Sequence, residues 1–161
     1  MRTLLRHVNG LRSAAVALGA LAMLLIATAA AAADLKNPDL AKMGLHILAG
    51  VYGDMDRKLG AGQFDRLPHE NQEFQEGSQA LRDAIAGEPE QFKARVTKQL
   101  EATLAASQHV ADVSKQHDRA AVKEALAALA AQMRSLNALF PTALRAEPGT
   151  VEPPHHGGGA T

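Results

Sequence analysis

The chain of 161 residues contains no cysteine. That excludes disulfides, thiolate metal sites, iron–sulfur clusters and cysteine nucleophiles, so packing alone has to hold the fold together. Aromatic residues make up 3% of the sequence and tryptophan is missing, which leaves aliphatic side chains to build any core. An excess of positive charge is lacking too: lysine plus arginine equals aspartate plus glutamate at 17 each. That balance gives no electrostatic footprint for nucleic acid, and no nucleic-acid partner is expected. Missing as well are a Gly-rich phosphate loop, a His-Glu-x-x-His metal motif and any nucleophile–base pair, so the sequence gives no ground for reading an enzyme.

Residues 1–33 are set apart from the rest. Arg2, Arg6 and Arg12 make a basic start. An apolar run from Ala14 to Ile26 follows, and Ala27 to Ala33 close it in small residues before Asp34. A basic start, an apolar middle and an Ala-x-Ala end make a secretory signal peptide. The run also approaches the roughly 20 residues needed to span a bilayer, so contact with a membrane is expected only if the leader stays uncleaved. Without the leader, fourteen basic residues face seventeen acidic ones. What remains is one domain's worth of chain, and the expected location is the periplasm.

After Asp34 the sequence is rich in Ala, Leu, Glu, Gln and Lys, which are strong helix formers, and no stretch alternates like a strand. Four helices are expected. The first runs from about Asp39 to Leu59, with a stripe of Leu40, Met43, Ile47, Val51, Met55 and Leu59, and ends at Gly60 and Gly62. The second runs from about Pro68 to Ala86 with Leu67, Phe74, Leu81 and Ile85 on one side; Gly77 weakens its middle. The third begins at Pro89 and reaches about Lys115, with Phe92, Val96, Leu100, Leu104, Val110 and Val113 as a stripe that thins around Ser107. The fourth comes after Asp118, a good N-cap, and carries Val122, Leu126, Leu129, Met133, Leu136 and Phe140 until Pro141 ends it. Alternating steps of four and three make that last stripe a bundle seam. The expected fold is all-α, an antiparallel up-down-up-down four-helix bundle over residues 34–145. Residues 146–161, rich in Pro, Gly and His, read as a disordered tail.

Two segments resemble the cytochrome c prime family of periplasmic four-helix-bundle haem proteins. Ile47-Leu48-Ala49-Gly50-Val51-Tyr52-Gly53-Asp54-Met55 is similar to that family's first helix, and Gly60 with Phe64-Asp65 to the loop after it. Ala120 to Leu126 resembles the opening of its last helix, which in the family continues into a Cys-x-x-Cys-His haem-attachment motif. Carried forward without a gap, that motif falls on Met133-Arg134-Ser135-Leu136-Asn137. Met133 and Leu136 stand where the thiols would be, Asn137 stands where the axial imidazole would be, and Phe140 falls where an aromatic is common. The resemblance implies the bundle fold and a homodimer through the first two helices. It also implies the loss of covalent haem, and no cofactor is expected.

The competing expectation is an electron-transfer or gas-binding carrier with non-covalent haem, or a copper-binding periplasmic protein. The related b-type bundle cytochromes use a methionine on the first helix and a histidine late on the fourth. Met43 sits near the first position, but no histidine lies between His117 and His155. For copper, Met43 and His46 share a side of the first helix at i, i+3, and a thioether and an imidazole are suitable ligands. His155 and His156 in the tail are weak ligands for divalent transition metals. His109 and His117 read as solvated surface residues, and Glu70, Glu73 and Glu76 as a solvated acidic edge. Leu45, Leu48 and Tyr52, off the main stripe of the first helix, read either as an exposed apolar patch or as a dimer seam.

Overall fold

The computed structural model describes residues 35–149. The leader and the tail histidines His155 and His156 lie outside the described residues. Four helices succeed one another: α1 Pro38–Gly60, α2 Leu67–Ile85, α3 Glu90–Ser114 and α4 Arg119–Asn137. Short 3-10 turns sit at Phe64–Arg66 and Thr142–Leu144, and no strand occurs among the described residues. No helix among them is long and apolar enough to cross a membrane.

The helix starts arise from local chemistry. Pro38 and Pro68 occupy first turns, where the N–H they lack would have no partner. The Asp118 carboxylate accepts from the Ala120 and Ala121 amides at 2.8 and 3.2 Å, satisfying two otherwise orphaned donors of α4. Consecutive helices pack against one another, α1 most broadly on α2 and α3 on α4, and a narrower α1–α4 contact closes the set around one core. This arrangement is compatible with a helical bundle.

The fourth stripe is buried as the spacing predicts: Val122, Leu126, Leu129, Met133, Leu136 and Phe140 are all in the core. So are Leu67, Phe74, Leu81 and Ile85 of α2. The stripe expected on α1 needs correction. Met43 is 48% exposed, and Leu40 and Ile47 are only partly covered, whereas Ala41, Leu45, Leu48 and Ala49 are buried beside Val51, Met55 and Leu59. At 3.6 residues per turn, each four-residue step overshoots a full turn by about 40°, so a row of successive fours winds off the core face. Mixing steps of three and four keeps Ala41, Leu45, Leu48, Met55 and Leu59 facing inward. Leu45 and Leu48 are therefore core residues, not an exposed patch.

Two further departures concern small and polar residues. Gly77 is a packing site: a Cβ there would lie 2.6 Å from Ile47 Cγ2, so the missing side chain is what lets α1 and α2 approach. Glu70 is not part of a solvated edge. It is 1% exposed and ion-paired with Lys58 of α1.

Candidate functional site

Asn137, at the last position of α4, is 4% exposed. Its side-chain amide donates through Nδ2 to the Ala146 carbonyl at 2.7 Å, and its Oδ1 accepts from the Ala146 amide at 3.3 Å. One side chain thus binds both polar atoms of one residue's main chain. The segment it holds returns from the end of α4 toward α1. α4 ends at Asn137, short of Pro141 where the sequence placed its end, and 138–140 form a turn; the 3-10 turn Thr142–Leu144 contacts α1, and the Gly149 amide reaches the Ala49 carbonyl at 3.5 Å. Arg145 secures the reversal by donating from Nε to the Phe140 carbonyl at 2.8 Å. Phe140 itself is buried and meets Phe92 edge-on, with ring centroids 5.8 Å apart.

Arg145 has extended backbone angles, and burial alternates along the segment. Leu144 and Pro148 are partly covered and Ala146 is buried, while Arg145, Glu147 and Gly149 are exposed. About the extended Arg145, between the 3-10 turn and the turn at Pro148, that two-residue period keeps one face inward. Residues 146–149, which by composition belong to the tail, lie against the helices: Ala146 is 4% exposed and belongs to the core. Nothing local in the sequence marks this. The contact joins Asn137 to a residue nine positions later and depends on how α1 and α4 are spaced.

Tyr52 lies at the same seam, partly buried, with its ring at van der Waals distance from where a Gly149 side chain would begin. Burial pushes its phenol above the ordinary value of 10.0; the nearby Asp56 adds to the rise and Arg134 opposes it. Because Tyr52 is the only tyrosine in the chain, the ultraviolet absorbance of tyrosinate reports on this position alone. A titration midpoint above pH 10.0 is expected. A folded-state value above the unfolded one means that the stability it contributes is complete below the unfolded value and is lost as pH rises through the folded one. A chain ending at Ala146 keeps the Asn137 clamp but loses the cover over the ring, and its midpoint is expected to fall back toward the ordinary value. An identical midpoint in the two chains would show that residues 147–149 do not shield the phenol.

The three positions singled out on α4, Met133, Leu136 and Asn137, are therefore all inside. Met133 and Leu136 are 3% and 1% exposed in the apolar core, and Asn137 is engaged by Ala146. The two residues considered for metal on α1 stand differently. Met43 is exposed and His46 is half-buried; among the described residues no group of three or more His, Asp or Glu side chains is placed to hold a metal ion.

Two polar clusters are only partly legible from the sequence. In the α2–α3 interface, the Ser107 hydroxyl donates to Asn71 Oδ1 at 2.8 Å, and Asn71 Nδ2 donates to Gln108 Oε1 at 2.9 Å. The thin part of the third stripe is thus a buried polar bridge beside the Lys58–Glu70 pair. Burial lowers the Lys58 ammonium below its usual value, against the upward pull of Glu73. The buried hydroxyls of Ser78, Ser107 and Ser114 all donate to carbonyl oxygens, of an amide side chain or the main chain. At the other cluster, His117 has a left-handed backbone with φ of 56°, uncommon outside glycine. Its ring stacks on Phe64 at 5.3 Å, and its Nε2 lies 3.0 Å from Asp65 Oδ1, so it joins the α3–α4 turn to the α1–α2 connection. His117 is thus a tether between connections, though its side chain remains 56% exposed.

Comparison of the chain with protein-family models, with curated proteins and with solved structures finds no match.

Proposed function

We propose that this chain is an exported, periplasmic binding or interaction protein, built as an up-down-up-down antiparallel bundle resembling cytochrome c prime but without that family's covalent haem, and that it is not an enzyme. The observation that carries the reading is Asn137. In the register of the resemblance it replaces the axial ligand, and both of its amide heavy atoms are committed to the Ala146 main chain. Met133 and Leu136 fill the neighbouring positions as core side chains. A vacated cofactor cavity would cost roughly 24 cal/mol per Å³, and large apolar residues on an intact seam offset that cost. The antiparallel order is supported by the short connections, residues 61–66, 86–89 and 115–118, between helices that pack on their sequence neighbours.

The same reading includes a homodimer through α1 and α2. Its support is the apolar surface of Met43, with Leu40 and Ile47 partly covered beside it. The membrane is a partner only where the leader is retained.

The test is a visible spectrum of the mature protein purified from the periplasm, recorded before and after adding hemin and passing the sample through gel filtration. No Soret band is expected to survive the column. A band that survives would overturn the haem-free reading and favour the non-covalent haem carrier. Metal analysis of the same protein cut after Gly149, which removes His155 and His156 and keeps Ala146 in place, addresses copper: stoichiometric retention would favour a site that includes Met43 and His46.

A further inference from the structure

The α1–α4 seam is occupied by a segment of the chain that enters it as a peptide ligand would. The chain leaves the 3-10 turn at Leu144, is extended at Arg145 and turns again at Pro148; over these residues it is inward at every second position and gripped through the main chain of Ala146 rather than through any distinctive side chain. The grip comes from a side chain that is itself buried, Asn137, and a third main-chain bond runs from the Gly149 amide to the Ala49 carbonyl of α1. Asparagine presents one donor and one acceptor at the spacing of a residue's C=O and N–H, so it reads backbone irrespective of sequence. Selection then falls to the inward positions. Here they are a branched apolar residue, a small residue and a proline: Leu144, Ala146 and Pro148. Of residues 142–149 only Ala146 is buried, and a segment with few buried groups opens at low free-energy cost.

We propose that the α1–α4 seam is a groove for an extended polypeptide segment of apolar-x-small-x-Pro pattern supplied by another protein, and that residues 142–149 are the chain's own occupant, displaced when the partner binds. This rests on the reading of the chain as a binding protein and names the site and the partner's chemistry. A tethered occupant competes at high effective concentration, so the free protein presents a largely closed groove and the partner's apparent affinity is reduced by the fraction that is open.

The test uses the full mature chain and a labelled peptide with the sequence of residues 142–149. Ala146→Asp places a charge at a buried position and ejects the strap while leaving Asn137 in place. Asn137→Leu removes both clamp bonds and so frees the strap, but it also removes the backbone reader. Circular dichroism of both variants verifies that the four helices persist; Ala146→Glu is the substitute if Ala146→Asp is not helical. The peptide is expected to bind Ala146→Asp at least about tenfold more tightly than either the wild-type chain or Asn137→Leu. Equal binding to the two variants would overturn backbone reading by Asn137. No binding to a helical Ala146→Asp protein would overturn the groove altogether. In that case a protein still free of haem after the hemin test keeps the broader binding-protein reading, so the two failures are distinguishable.

Discussion

Replacing Lys58 by alanine is expected to destabilise the fold by about 3 kcal/mol, toward the lower end of the range for breaking a buried ion pair. Glu70 is 1% exposed and its carboxylate is paired with the Lys58 ammonium. Without that partner the charge stays inside with its desolvation uncompensated. The cost stays at the low end because the Lys58 side chain is 27% exposed, so water reaches the vacated position. The paired replacement Lys58→Met with Glu70→Leu is expected to be neutral or stabilising, because the charges leave together and apolar packing takes their place. Denaturant midpoints of Lys58→Met, Glu70→Leu and the double variant, each against wild type, give the coupling as a cycle. A Lys58→Ala protein as stable as wild type would show that Glu70 is adequately solvated without its partner. A strongly destabilised double variant would show that the pair holds geometry that apolar side chains cannot.

The second large effect is expected at Gly44, where alanine should cost about 2 kcal/mol although alanine is the better helix former by about 1 kcal/mol. An added Cβ would lie 2.8 Å from Leu81 Cγ and 3.1 Å from the Leu81 backbone nitrogen. A side chain can rotate away from such an approach, but a backbone atom of a packed helix moves only with its helix. The α1–α2 contact, the broadest of the set along with α3–α4, would have to open. Gly60 is the control, since nothing lies within 4 Å of where its Cβ would be. Gly60→Ala is expected to leave stability unchanged or raise it by up to about 1 kcal/mol. Thermal melts of the two variants side by side separate the effects. Loss at Gly60 or gain at Gly44 would contradict the packing described.

How far the sequence reaches can be judged on particular elements. All four helices are legible, with ends within about three residues, because Pro38, Pro68, Pro89 and Asp118 mark starts by local chemistry. The α4 seam is legible in full, since its steps of four and three average the helical repeat. On α1 the sequence offers two apolar rows, and composition cannot choose between them. Met43 belongs to one and Leu48 to the other, and only the position of α2 decides which is covered. Gly77 reads as a weak point because propensity is a property of one helix, whereas close approach is a property of two. Glu70 reads as solvated because acids near a helix start usually are; its burial depends on Lys58, twelve residues earlier on another helix.

The absence of cysteine, the helix-forming composition and the periodicity of α4 are decided within the chain itself, because each depends on residue type or on spacing along a single helix. Those features are enough for an all-α protein whose apolar seam stays intact across positions 133 and 136. The placement of Asn137 is decided only in three dimensions. Its role comes from Ala146, which reaches it because the chain turns back toward α1 after the end of α4. Hydrogen bonds and close packing join whatever folding brings within a few ångströms, and separation along the sequence carries no record of that.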